Sequence, residues 1–214
     1  LWIVLTVASY LKETGKMELL DEVIPFYEAG KKRADREKGT VLEHLKRSLN
    51  FTRTHLGKNK LPLLGFADWN DCMNLPLGAE SSFNAGLYAK ALLEMMDICE
   101  TLGDTKSVKM YKGWYEDIKK AFNDAAWDGK WWIRWFDKEG NAYGTHKAKY
   151  GKIYCNSQSW SVMSGIAYGE RAVMGMDSLN KLLNTANGVK SSTPGYRGFD
   201  GRVGGISTYP PGAK

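Results

Sequence analysis

Two carboxylates, an indole and an amide stand side by side in GFADWNDCMNLPLGAES (Gly65–Ser81), as Asp68, Trp69, Asn70 and Asp71. The Gly and Pro residues around them predict a loop, and an acid beside an aromatic face is the composition of a sugar-processing site. Cleaving a glycosidic bond needs an acid next to the leaving oxygen, and an inverting hydrolase adds a second carboxylate that activates water on the opposite face. When phosphate is the attacking group it arrives already anionic, and the second carboxylate becomes unnecessary. Asp71 or Asp68 has the chemistry of the acid, Trp69 that of a subsite floor, and Asn70 can orient a hydroxyl or cap the loop. The same residues admit a purely structural reading, in which Asp68 closes an Asx-turn and Trp69 anchors the loop in the core. Glu80 and Ser81 read as an N-terminal cap for the following helix, and Glu80 is also the nearest base for a hydrolase. A second constellation is GKIYCNSQSW (Gly151–Trp160), where Asn156, Ser157 and Gln158 sit among aromatics as a loop runs into a helix. Amides there suit sugar hydroxyls, and Asn and Ser equally suit helix caps.

Helical periodicity supplies the elements that must hold these loops. Residues 1–14 form an apolar helix ended by Gly15, apolar nearly all round as expected for one buried on several sides. In TVLEHLKRSLNFTRTHLG the spacing of Val41, Leu45, Leu49, Thr52 and Leu56 is helical. Thr40 and Glu43 make a capping box at its start, and Gly57 is expected to stop it. Leu87, Ala91, Met95, Ile98 and Leu102 form the stripe of the next helix, closed by Gly103. Asp104 caps a fourth, with Val108, Tyr111, Tyr115, Ile118 and Phe122 inward. WDGKWWIRWFDKEGNAYG switches to strand-like aromatics around a Gly turn and predicts a small hairpin. Helices over 158–168 and 170–184 follow, and then a loop from Gly188. The reading is all-α: six helices in three consecutive pairs, arranged as a stacked array or a toroid, with the joining loops gathered on one rim.

With 43% hydrophobic and 25% charged residues, the 214-residue chain has the composition of a soluble protein with a sizeable core. The 8 Trp and 11 Tyr supply faces for flat ligands as well as core. A formal charge of +6 raises nucleic acid, but the one dense basic run, KKRADREK, is broken by acids and reads as a solvated surface. Cys72, Cys99 and Cys155 make neither a disulfide framework nor a zinc site, which points to a reducing compartment. His44, His55 and His146 lack metal-ligand spacing, and no stretch is long enough to span a membrane. Without an initiator Met, and ending at YPPGAK, the sequence reads as an internal piece of a longer protein.

LPLLGFADWNDCMNLPLGAESS and GKIYCNSQSWSVMSGIA, with GGISTYPPGAK at the end, closely resemble the catalytic domain of the inverting disaccharide phosphorylases of glycoside hydrolase family 94. LWIVLTVASYLKETG and EHLKRSLNFT fit as well, so the resemblance covers essentially the whole chain. It implies an (α/α)6 barrel behind a β-sandwich domain, with residues 1–214 as the central part of the barrel and the hairpin as an insertion. Asp71 would be the general acid and Trp69 would line the donor glucose subsite, while Asp68 and Asn70 would shape the loop. Asn156 and Gln158 fall where acceptor-side residues are expected. Ser157 stands where the family often has Pro, and Cys155 where it has a larger apolar residue. ADWNDC is closer to the soluble phosphorylases than the GDWNDG of cyclic β-glucan synthases. The resemblance implies inorganic phosphate as co-substrate with no other cofactor. The partners implied are a β-glucosyl disaccharide and phosphate, with neither nucleic acid nor membrane. A cytoplasmic location is expected, and a homodimer of the full-length protein is left open. The family's donor-binding Arg and Asp lie upstream of Leu1 and its phosphate-binding His downstream of Lys214, so these residues alone are expected to be inactive. An inverting hydrolase and a non-catalytic sugar-binding module are the rival readings.

Overall fold

The computed structural model describes residues 1–66, 68–70 and 75–196. Six α-helices are present among the described residues. Helix α1 (Trp2–Thr14) ends at Gly15, whose φ of 68° places it in the left-handed conformation that closes a helix without a Cβ penalty. A 3₁₀ turn leads to an antiparallel pair, β1 (Val23–Pro25) and β2 (Lys38–Thr40), with the basic run between them exposed as expected. Helix α2 (Val41–Thr54) opens with the reciprocal Thr40–Glu43 capping box. After the loop come β3 (Glu80–Ser81), α3 (Ser82–Thr101) and α4 (Thr105–Ala125), the last capped by Asp104, which accepts a hydrogen bond from the Ser107 amide. Strands β4 (Trp135–Phe136), β5 (Ala142–Tyr143) and β6 (Ile153–Tyr154) precede α5 (Cys155–Met163) and α6 (Gly169–Leu183). Short strands β7 (Asn184–Thr185), β8 (Gly188–Val189) and β9 (Ser192–Thr193) complete the described elements.

The odd-numbered helices form a row, α1 against α3 and α3 against α5, while α2 and α4 pack on α3 and α6 on α5. Helix α3 is the hub and is therefore buried on nearly every face. Ala91, Met95 and Ile98 of its stripe lie in the core with Val4, Ala8 and Leu11 of α1 and Tyr111, Ile118 and Phe122 of α4, and Leu87 is buried as well. Lys12 of α1 binds Glu94 and Asp97 of α3 at 2.5 and 2.8 Å. Gly86 lets α5 approach, because a Cβ there would stand 3.0 Å from the Trp160 carbonyl carbon.

Five expectations shift. Helix α2 stops at Thr54, three residues short of Gly57. Gly57 instead makes room for a buried carboxylate, since a Cβ there would lie 2.3 Å from Glu80 Cγ. Leu102 continues the α3 stripe in sequence but lies past the last helical turn and is exposed. Helix α5 begins at Cys155, because β6 runs straight into it, so Asn156 to Gln158 occupy its first turn. The tail after Gly188 is not all loop, because β8 folds back on β7 and β9 pairs with β6. Helix α1 is buried on one face only and leaves Trp2, Ile3 and Tyr10 open. The expected hairpin is present as β4 and β5, and β3 joins it on the other side to make a three-stranded sheet. That sheet ties the end of the site loop to the aromatic strand.

Candidate active site

The Asp68 loop sits where the first turns of α1 and α3 meet α5. Trp2, Phe83 and Trp160 form a cluster there, with Trp160 edge-on to Trp2 at 5.3 Å and to Phe83 at 5.7 Å. Three elements thus deliver large aromatic side chains to one place, each from a helix whose other face is fixed in the core.

Beneath the loop lies a clamp. Asp68 and Arg134 both have fully buried side chains, and Arg134 Nη1 and Nη2 each come within 2.6 Å of an Asp68 oxygen, a bidentate pair. Ser81 Oγ donates to Asp68 Oδ2 at 2.7 Å and receives a bond from Arg134 Nη1 at 3.0 Å. The Trp135 indole N–H reaches the same carboxylate at 3.3 Å, and the Asn70 amide closes an Asx-turn on Oδ1 at 3.0 Å. The Arg134 guanidinium lies 3.9 Å from the centre of the Trp135 ring. Burial alone would push the Asp68 carboxyl up. The Arg134 charge, with hydrogen bonds from Arg134, Asn70 and Ser81, outweighs it and holds the group below the ordinary carboxylate range. A buried charge pair on this scale is sustained by such hydrogen bonds to the carboxylate, although the Arg134 Nε is left without a partner.

Trp69, the next residue, is the reverse case. It is 58% exposed although the side chain of its neighbour Asp68 is fully buried, so the indole is presented to solvent rather than used as a core anchor. It borders two clefts. One of about 730 Å³ is also lined by Phe51 and His55, stacked on each other, and by Leu77 and Phe83. The other, about 400 Å³, is lined by Trp2, Phe83, Asn156, Trp160 and residues 189–191. Clefts of this size with mostly apolar and aromatic walls and a few polar groups are the ordinary form of small-ligand sites.

The structure therefore brings Trp69 and Asn156 to one cleft and leaves Gln158 away from it. Gln158 is fully buried. Its Oε1 accepts from the Trp132 amide at 3.0 Å, and its Nε2 donates to the Trp132 carbonyl at 2.7 Å and to the Tyr154 carbonyl at 3.3 Å. That side chain pins the aromatic strand. Glu80 is likewise committed, accepting from the Asn59 amide at 2.9 Å, the Asn59 side chain at 2.7 Å and the Leu61 amide at 3.1 Å. Ser81 caps α3 by accepting from the Asn84 amide. Asp71 lies outside the described residues, as does Cys72. Sequence reasoning passed over Arg134. A lone cation within WWIRWF was the signal, since a charge flanked by aromatics on both sides must find a partner or stay wet.

The profile of the glycosyl hydrolase 94 superfamily catalytic domain matches residues 1–214. An N,N'-diacetylchitobiose phosphorylase of Vibrio proteolyticus is 31% identical over all of this chain and 26% of its own length. A solabiose phosphorylase of Paenibacillus borealis is 33% identical over 99% of this chain and 27% of its own length. The chain thus spans about a quarter of each of these relatives. Among solved structures, a GH78 family rhamnosidase of Bacillus sp. GL1 aligns over 84% of this chain and 17% of its own, with a TM-score of 0.62 at 14% identity. That likeness concerns the fold alone. No helix among the described residues is long and apolar enough to cross a membrane.

Proposed function

This chain belongs to the glycosyl hydrolase 94 superfamily, and on that premise we propose that the protein phosphorolyses a β-linked glucosyl disaccharide or short oligosaccharide with inversion, releasing α-glucose 1-phosphate and a shortened sugar. The observation that carries this reading is the exposed Trp69 indole, held over an aromatic-walled cleft by a loop whose base is clamped through Asp68 and Arg134. An exposed ring beside a buried, hydrogen-bonded anchor is a ready platform for a sugar face. Asp71, one residue beyond Asn70, is the proposed general acid, giving its proton to the leaving oxygen as phosphate attacks the anomeric carbon from the opposite side. Asn156, across the cleft from Trp69, is proposed to bind a sugar hydroxyl, whereas Gln158 and Asp68 act through the loops they hold. The helix row is proposed as part of an (α/α)6 barrel.

Phosphate is favoured over a water-activating base for a specific reason. Glu80, the nearest second carboxylate to the loop, has its oxygens engaged by the turn at residues 57–61. Two relatives named as phosphorylases support the same choice. The test is product analysis of the intact protein that carries these residues, given disaccharide with and without inorganic phosphate. Sugar phosphate formed only when phosphate is present supports the reading, and rapid free glucose without phosphate overturns it.

A further inference from the structure

On the other side of the 57–61 turn, away from Trp69, lies a cleft of about 820 Å³ between the end of α2, that turn and α4. Tyr88 of α3 lies along it, 1% exposed, and its hydroxyl has no hydrogen-bond partner. A buried phenol hydroxyl left unpaired is uncommon, because its desolvation goes uncompensated. Burial pushes this phenol up from its ordinary value, so it remains a proton donor. The charges along the walls do not cancel. Arg53 is paired with Asp117 at 2.7 Å and Lys120 with Asp124 at 2.5 Å. Lys58 and Lys60 also line the cleft, and neither ion pair involves them. The backbone that carries them is braced, because Glu80 from below holds the amides of Asn59 and Leu61, and Lys60 is kept at a φ of 62°. Two cations on a braced turn and one buried donor describe an oxyanion receptor. The volume exceeds what a lone phosphate needs and suits a phosphate carried on a sugar ring.

We propose that this cleft is a second ligand site, which binds the phosphoryl group of a sugar phosphate through Lys58, Lys60 and the Tyr88 hydroxyl. It does not depend on the reaction proposed above, so its probe is glucose 6-phosphate, whose phosphate is on the wrong carbon to be that reaction's product. Because the proposed reaction takes phosphate and a glucosyl sugar at the Trp69 cleft, calorimetric titration is read as the component of binding that Lys58→Ala/Lys60→Ala removes, which should be tighter for glucose 6-phosphate than for inorganic phosphate and absent for glucose. In the double variant Lys58→Ala/Lys60→Ala the affinity should fall roughly tenfold or more. Tyr88→Phe should weaken binding about three- to tenfold, with Tm unchanged or higher because an unpaired hydroxyl has been removed. That split between affinity and stability is one a merely structural tyrosine would not give. Inorganic phosphate losing as much affinity as the sugar phosphate on going to the double variant would assign the cleft to the free ion and overturn the sugar part. Affinities equal to wild type in the double variant and in Tyr88→Phe would overturn the site.

Discussion

The two faces of the Asp68 loop obey opposite rules. Below it, Asp68, Arg134, Ser81 and Trp135 form a dry network in which both carboxylate oxygens are taken. Above it, Trp69 and Asn156 line open clefts, with Trp69 more than half exposed. Adjacent residues in one short motif thus have separate tasks: Asp68 fixes the backbone so that Trp69 can be held out of the core. A loop presenting an indole to solvent must be anchored elsewhere, or burial of the ring would collapse it inward. In the proposed site, a cluster of chemically suggestive residues thus divides into those placed to meet ligand and those that would make the meeting reproducible.

Substitutions on the two faces should therefore fail in different ways. The largest effect is expected at Asp71: Asp71→Asn should lower turnover of a disaccharide by about 10²–10⁴-fold, with the circular dichroism spectrum unchanged. An aryl glucoside with a good leaving group should lose less, since it needs less protonation. Next, Arg134→Met leaves Asp68 buried without its partner and should destabilise the fold by about 3–5 kcal/mol, read as a lowered denaturant midpoint. The pair also has a pH signature. Because the folded Asp68 carboxyl lies below its ordinary value, its contribution is fully present above about pH 4 and is lost as pH falls through the folded pKa. Asp68→Asn should flatten that part of the acid-unfolding curve, and an unaltered curve would remove the pair from this role. Trp69→Ala should behave in the opposite sense, changing stability within about 0.5 kcal/mol as an exposed residue while raising the donor KM and slowing turnover. A large fall in Tm with normal kinetics would make Trp69 an anchor after all. The smallest effect is expected at Asn156→Ala, a loss of one hydrogen bond worth about 0.5–1.5 kcal/mol in KM. Gln158→Leu should instead lower Tm, since it strips the Trp132 amide and carbonyl of their partner.

Much of this division can be traced in the sequence, and the part that cannot has a common cause. Periodicity located α1 to α4 because their cores are built from local i, i+3 and i+4 repeats, and the caps at Thr40 and Asp104 are contacts over three residues. The loop residues were identifiable by type. What stayed hidden were contacts between distant segments. Arg134 meets Asp68 across 66 positions and Gln158 meets Trp132 across 26, and nothing local to Gln158 distinguishes a ligand-facing amide from a clamp. Gly57 resembled a helix stop, but its requirement comes from Glu80 packing against it from β3. The extra strand was hidden in the same way, since two residues carry no period.

The central claim, that this loop serves phosphorolysis with inversion, is tested most directly by NMR of the first sugar formed from a β-glucosyl disaccharide in phosphate buffer. The account predicts α-glucose 1-phosphate as the initial product, accumulating in step with the shortened sugar. Initial β-glucose 1-phosphate, or free glucose released at the same rate without phosphate, would contradict it.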